Sequence, residues 1–157
     1  MSFLSRDQSV ESDFVLQALE KLVPGLIMDP ACDMWGHRPA INDICPVPFG
    51  TFDAQHGQRV MGEAEFRRMV WARGYNRFGV ACLYDFLQSS SRNEVPERLN
   101  GSILFFCGVW LLNPRNGLSF VVYTEKRVDP RSESLDWGLG VHCTCNPYWF
   151  SGSRVVG

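Results

Sequence analysis

Residues 103–128 read ILFFCGVWLLNPRNGLSFVVYTEKRV. The first ten residues are almost all aliphatic or aromatic, and they stop at Asn113-Pro114-Arg115-Asn116-Gly117. Proline pre-sets a turn dihedral, glycine accepts positive φ, and asparagine bonds its own backbone, so this pentapeptide is a strong turn signal. The run that follows, 118–128, carries Val121, Val122, Tyr123 and Thr124, which suit a pleated, half-buried surface. Strand, turn and strand make an antiparallel hairpin. Asp129-Pro130 then breaks the pattern, and residues 135–145 supply a further strand. The last third of the chain is therefore expected to be an antiparallel meander of about three strands.

Toward the N-terminus the hydrophobic period changes. In residues 13–23, Val15, Ala18, Leu19, Leu22 and Val23 fall on one stripe of an amphipathic helix. Ser12 suits the N-cap, Asp13 suits the positive end of the helix dipole, and Pro24-Gly25 ends the helix. Residues 26–28 are a short apolar piece that reads as a strand. Residues 63–73 give a second helix, with Phe66, Met69 and Val70 on one face and Gly74 as its stop. Residues 78–88 fit the helical template at Val80, Leu83, Tyr84 and Leu87, although a strand also fits because nearly every position is apolar. Helices first and strands later is the α+β pattern, in a single domain covering 1–157.

Residues 29–62 follow neither period. They contain Pro30, Pro39, Pro46 and Pro48 with Gly36, Gly50, Gly57 and Gly62. So long a loop in a compact domain is functional, tied down or disordered. Cys32, Trp35, His37, Cys45, Phe49, Phe52 and His56 are not residues of disordered chain, so something should pin this segment.

The densest chemistry lies in WGLGVHCTCNPYWF, residues 137–150. Strand alternation puts Cys143 and Cys145 on one face and His142 and Thr144 on the other. Two thiols on one face either grip a metal or pack. Zinc takes four Cys or His ligands in a tetrahedron, often as two pairs from separate segments. Cys32 and His37 form a second pair inside the loop, so closing the loop on the strand would give Cys32, His37, Cys143 and Cys145, with Cys45 as a spare donor. The competing reading packs Cys143 and Cys145 beside Val141 as small hydrophobes. Cys82 and Cys107 sit in apolar runs and are expected in the core.

A thiol enzyme would need Cys32 or Cys45 to meet His142 and Asn146. No local signature of a known thiol protease surrounds either cysteine. His56, with Asp53 three residues earlier, reads as a base with its orienting acid or as a polar loop residue. The chain contains no G-x-G-x-x-G, P-loop, H-E-x-x-H, EF-hand loop or G-x-S-x-G, and no catalytic residue is assigned. Tyr148, Trp149 and Phe150 are consecutive and cannot all face one core from a strand. Tyr148, Trp149 and Trp35 are the expected contacts for another protein; the alternative is a C-terminal segment folded back over a helix.

Hydrophobic residues make up 45% of the 157 and charged residues 20%, which fits a folded chain. A net charge of −2 offers no field for nucleic acid or an anionic membrane. The first eleven residues lack an apolar signal core, and no apolar run reaches the length of a bilayer span. An intracellular, reducing setting is expected, where the sequon Asn100-Gly101-Ser102 has no use.

Across 137–152 the order is Trp, Leu, His-Cys-x-Cys, Pro and Gly. This resembles a Cys/His-rich stretch of the larger early-region-four protein of adenoviruses, with Thr144 where that family has a second histidine and one extra residue between Leu139 and His142. That family's proteins are adaptors that recruit a host cullin ubiquitin ligase, and their Cys/His pairs are thought to hold zinc. The resemblance implies a viral, zinc-stabilised, non-enzymatic protein that binds a host protein in the cytoplasm or nucleus. The residues themselves also leave room for a small cysteine-dependent hydrolase or a self-assembling structural subunit.

Overall fold

The computed structural model describes residues 6–29, 36–128 and 135–157. Among the described residues three helices, α1 (Arg6–Leu22), α2 (Glu63–Ala72) and α3 (Val80–Ser91), accompany nine strands. The strands are β1 (Ile27–Met28), β2 (Pro46–Pro48), β3 (Thr51–Asp53), β4 (Gln58–Val60), β5 (Ile103–Leu112), β6 (Ser119–Val128), β7 (Leu135–Cys143), β8 (Tyr148–Phe150) and β9 (Ser153–Val156). The class is α+β, and the ambiguous segment at 78–88 is helical.

The main sheet has six strands in the order β2-β9-β5-β6-β7, with β1 pairing on β5. β5, β6 and β7 are antiparallel neighbours in chain order, but they are only half of the sheet. β9 returns parallel to β5 and separates it from β2. β5 is central and buried along nearly its whole length, as its unbroken apolar run requires.

Each face of this sheet is covered. On one side α1 and α3 bring Val15, Leu19, Leu83 and Phe86 against Leu104, Phe106 and Val122. On the other side Phe49, Phe66, Val70 and Trp149 pack on Phe105, Trp110, Val121 and Val155. Those residues come partly from α2 and partly from a second, three-stranded sheet in the order β3-β4-β8.

β5 changes phase midway. Phe106 lies opposite Val122 and Trp110 opposite Val121, so Cys107, Gly108 and Val109 have no partner on β6. An odd insertion reverses the alternation of faces. It turns Trp110 toward the same core as Phe105 and Cys107, while Val109 and Leu111 face the helices. The Trp110 indole N–H donates to the Cys107 carbonyl at 2.6 Å across the bulge. Gly108 meets the chain just before α3, where its N–H donates to the Phe78 carbonyl at 2.9 Å. A Cβ on Gly108 would lie 2.5 Å from the Asn76 carbonyl oxygen and 2.6 Å from the Gly79 Cα.

The proline-rich segment is held by main-chain pairing. β2 pairs with β9, and β3, β4 and β8 pair in turn, with Arg59 opposite Trp149 and Val60 opposite Tyr148. The Met61 N–H donates to the Pro147 carbonyl, and the Gly157 N–H to the Cys45 carbonyl. Arg38 forks between Glu11 on α1 and Asp85 on α3, at 2.8 and 2.6 Å. Both carboxylates hold its guanidinium charged, Asp85 first. Arg98 donates to the carbonyls of Asn42 and Ile44. The segment is thus fastened to the C-terminal strands, as the sequence suggested, but through β8 and β9 and by backbone bonds.

The two edges of the main sheet differ. β2 carries Pro46 and Pro48, which cannot donate to a further strand and blunt that edge. β7, at the opposite edge, holds Gly140 opposite Tyr123, whose ring would collide with any Cβ there.

Candidate functional site

β7 and the turn after it join the two cores. Trp137, Leu139 and Val141 pack toward α1 and α3. His142 points the other way, as alternation demands, and stacks on Trp149 with ring centroids 4.0 Å apart. After Cys143 the chain bends. The Asn146 N–H donates to the Cys143 carbonyl at 3.0 Å, and the Asn146 side-chain oxygen accepts from the Tyr148 N–H at 3.0 Å. That Asx-type bond starts β8. Thr144 is fully buried; its N–H donates to the Ser119 carbonyl, and its hydroxyl lies 3.1 Å from Glu63 Oε1 at the start of α2.

β7 ends at Cys143, so Cys145 lies in the turn and not on the strand expected to carry it; the two cysteines are bonded to each other as a disulfide, with Cα atoms 5.3 Å apart. Cys143 is half-buried and Cys145 exposed. In this form neither sulfur is the thiolate that a metal requires. His37 packs edge-on against Phe78, and its backbone N–H donates to the Arg77 carbonyl. Cys32 and Trp35 lie outside the described residues. Among the described residues no group of three or more His, Cys, Asp or Glu side chains comes together in a way that could hold a metal ion. Cys82 and Cys107 are buried, as expected; burial pushes the Cys82 thiol up to about 12 and the Cys107 thiol higher still.

The thiol-enzyme set is not assembled from its described members. Cys45 immediately precedes β2, while His142 is on β7 at the other edge of the sheet. Four strand spacings, about 19 Å, separate those edges. His56 does meet Asp53, at 2.7 Å from Nδ1 to Oδ2, and this contact chiefly holds the Asp53 carboxyl below its ordinary range. Asp53 also accepts the Gln55 N–H, and its carbonyl accepts the Gly57 N–H, so the pair closes the β3–β4 turn on open surface.

The aromatic triplet divides by strand alternation. Trp149 is 1% exposed and Tyr148 is 54% exposed. Trp149 therefore belongs to the core and not to the contact surface expected for it: it stacks on Phe66 and His142, touches Phe49 and Phe105 edge-on, and donates its indole N–H to the Met61 carbonyl at 3.0 Å. Phe150 is 45% exposed, and Val60, opposite Tyr148, is 36% exposed. Together they form an apolar surface on the outer side of the small sheet. It borders a cleft of about 580 Å³ lined by Tyr148, Phe150, His142 and Asn146. The sequence placed Phe150 in the aromatic triplet without naming it as a contact, and gave Val60 no role. The signal for Val60 was the hairpin pattern at 51–60, with Gly57 in its turn.

His142 brings an imidazole to this cleft. Its Nε2 lies 3.1 Å from the Asn146 carbonyl, which can only accept, so Nε2 carries the proton of the neutral ring. Burial lowers its pKa, opposed by that bond. In the unfolded chain the ring protonates near 6.5. As pH drops from that value toward the lower folded pKa, the unfolded state binds more protons than the native state, so stability falls over that window and levels off below it. Urea unfolding between pH 7 and pH 5 should show wild type losing stability faster than His142→Gln; parallel curves would remove this role.

No family model, curated protein or solved structure matches the chain. Among the described residues no helix is long and apolar enough to cross a membrane.

Proposed function

We propose that the chain is a non-enzymatic protein-binding module and that Tyr148, Phe150 and Val60 are its contact surface. The observation that carries this reading is the division of the aromatic triplet. Trp149 is locked in the core, so the two rings beside it are held on the outer face by a strand that cannot rotate. Rigid aromatic side chains at a surface lose little freedom on binding and dominate interface energetics. The resemblance at 137–152 suggests a host protein as the partner and a viral adaptor as the setting. Zinc at Cys143 and Cys145 would require the reduced pair and further donors such as Cys32.

A displayed peptide library panned on the immobilised protein tests the surface. Selected ligands should bind Tyr148→Ser/Phe150→Ser at least thirtyfold more weakly, about 2 kcal/mol. The variant's urea midpoint should stay near wild type, because both side chains are exposed. Undiminished binding by a folded double variant would overturn the assignment. A wild-type dimer in light scattering that the double variant loses would reassign the surface to self-assembly.

A further inference from the structure

Cys143 and Cys145 are two residues apart, and a bond between them encloses only Thr144. Such a small ring removes little freedom from the unfolded chain, so it cannot act as a staple between distant segments. Its Cα separation of 5.3 Å lies inside the ordinary range for a disulfide. The other described cysteines are free, and two of them, Cys82 and Cys107, are buried thiols that burial keeps protonated. Cys145 is an exposed residue in the turn after β7, the more accessible of the two to an attacking thiol. Cys143 is half-buried behind it. When the bond opens, the chain holds the two sulfurs close enough to re-form it.

We propose that Cys143 and Cys145 are a reversible dithiol–disulfide site that exchanges electrons with an external dithiol. A thiolate of the dithiol attacks the Cys145 sulfur. A mixed disulfide forms at Cys145, the bond to Cys143 breaks, and the electron pair leaves on Cys143, which takes up a proton. The second thiol of the reagent, as thiolate, then attacks its own partner sulfur in the mixed disulfide. That closes the reagent's ring and releases Cys145, which takes up the second proton. Two electrons and two protons pass to the protein. The site lies at the bend that starts β8, where the Asn146 N–H is bonded to the Cys143 carbonyl and Asn146 in turn holds Tyr148. Opening the ring removes one constraint on the bend beneath the proposed contact surface, while the bonds of Thr144 and Asn146 remain, and the exchange itself does not depend on that surface having a partner.

Dithiothreitol applied to the folded 157-residue protein, followed by removal of the reductant, alkylation without denaturant and peptide mass analysis, tests the proposal. Reduction should add two labels, at Cys143 and Cys145, while Cys82 and Cys107 stay unlabelled; oxidised dithiothreitol should restore the starting pattern. Cys143→Ser, which leaves Cys145 free, should take up oxidised glutathione faster than Cys145→Ser. Labels appearing at the pair only after denaturation would show a fixed bond and overturn the proposal. So would full labelling before any reductant, after prior treatment with oxidised glutathione. The reverse order of the two single variants would overturn Cys145 as the point of attack. No partner protein enters the assay, so this outcome is read separately from the loss of peptide binding in Tyr148→Ser/Phe150→Ser.

Discussion

Trp149→Ala is expected to cost about 3–5 kcal/mol of folding stability, the range for emptying a buried tryptophan site. The indole stacks against Phe66 at 4.6 Å and His142 at 4.0 Å, with Phe49 and Phe105 edge-on at 5.1 and 5.2 Å. These rings come from α2, β7, β5 and the turn after β2, so the cavity would be bordered by elements that cannot collapse inward together. The substitution also removes the donor to the Met61 carbonyl. Tyr148→Ala, one residue away, should cost less than about 1 kcal/mol, because its ring is largely in water. Urea unfolding of the two variants measures the contrast directly. Equal costs would mean that β8 presents its other face to the core, and the proposed contact surface would have to be redrawn.

Gly108→Ala is expected to lose about 3 kcal/mol, the upper end of what overpacking costs. The reason is the identity of the colliding atoms. The new methyl would sit 2.5 Å from the Asn76 carbonyl oxygen, 2.6 Å from the Gly79 Cα and 2.7 Å from the Gly79 nitrogen, all of them backbone. A side chain could rotate away; here the 3₁₀ turn at Tyr75–Arg77 and the start of α3 would have to withdraw from β5. That movement would break the bond from the Gly108 N–H to the Phe78 carbonyl. It would also disturb the unpaired residues that set the phase of Trp110. A methyl at Gly101, where the same test finds open space, is the control and should change the thermal midpoint little.

The elements that could be read in the sequence are those whose signal is local. The hairpin at 103–128 has two long apolar runs around a five-residue turn motif, and α1 has a stripe of five apolar positions. The segment at 29–62 was hard to read because its strands are three residues each, two of them prolines in β2, and β2 and β4 also have partners about a hundred residues away, while only the β3–β4 hairpin is local. Three residues cannot establish a period of two. The site was half legible for a related reason. Alternation correctly turned His142 to the side away from Val141, but it carried the strand through Cys145, past its end at Cys143, and it could not say whether two neighbouring sulfurs coordinate, pack or join. It also could not choose which of Tyr148 and Trp149 faced inward. That choice rests on α2, where Phe66 supplies the flat surface for the indole.

β9 comes last in the chain yet fills an interior position, between β5 and β2. Until Ser153–Val156 has left the ribosome, β2 has no partner and one flank of β5 is bare over Ile103, Leu104 and Phe105. A nascent chain therefore carries an open, oily seam beside β5 until β9 emerges, which is the condition under which chaperones are recruited. Closure of the main sheet waits on Ser153–Val156.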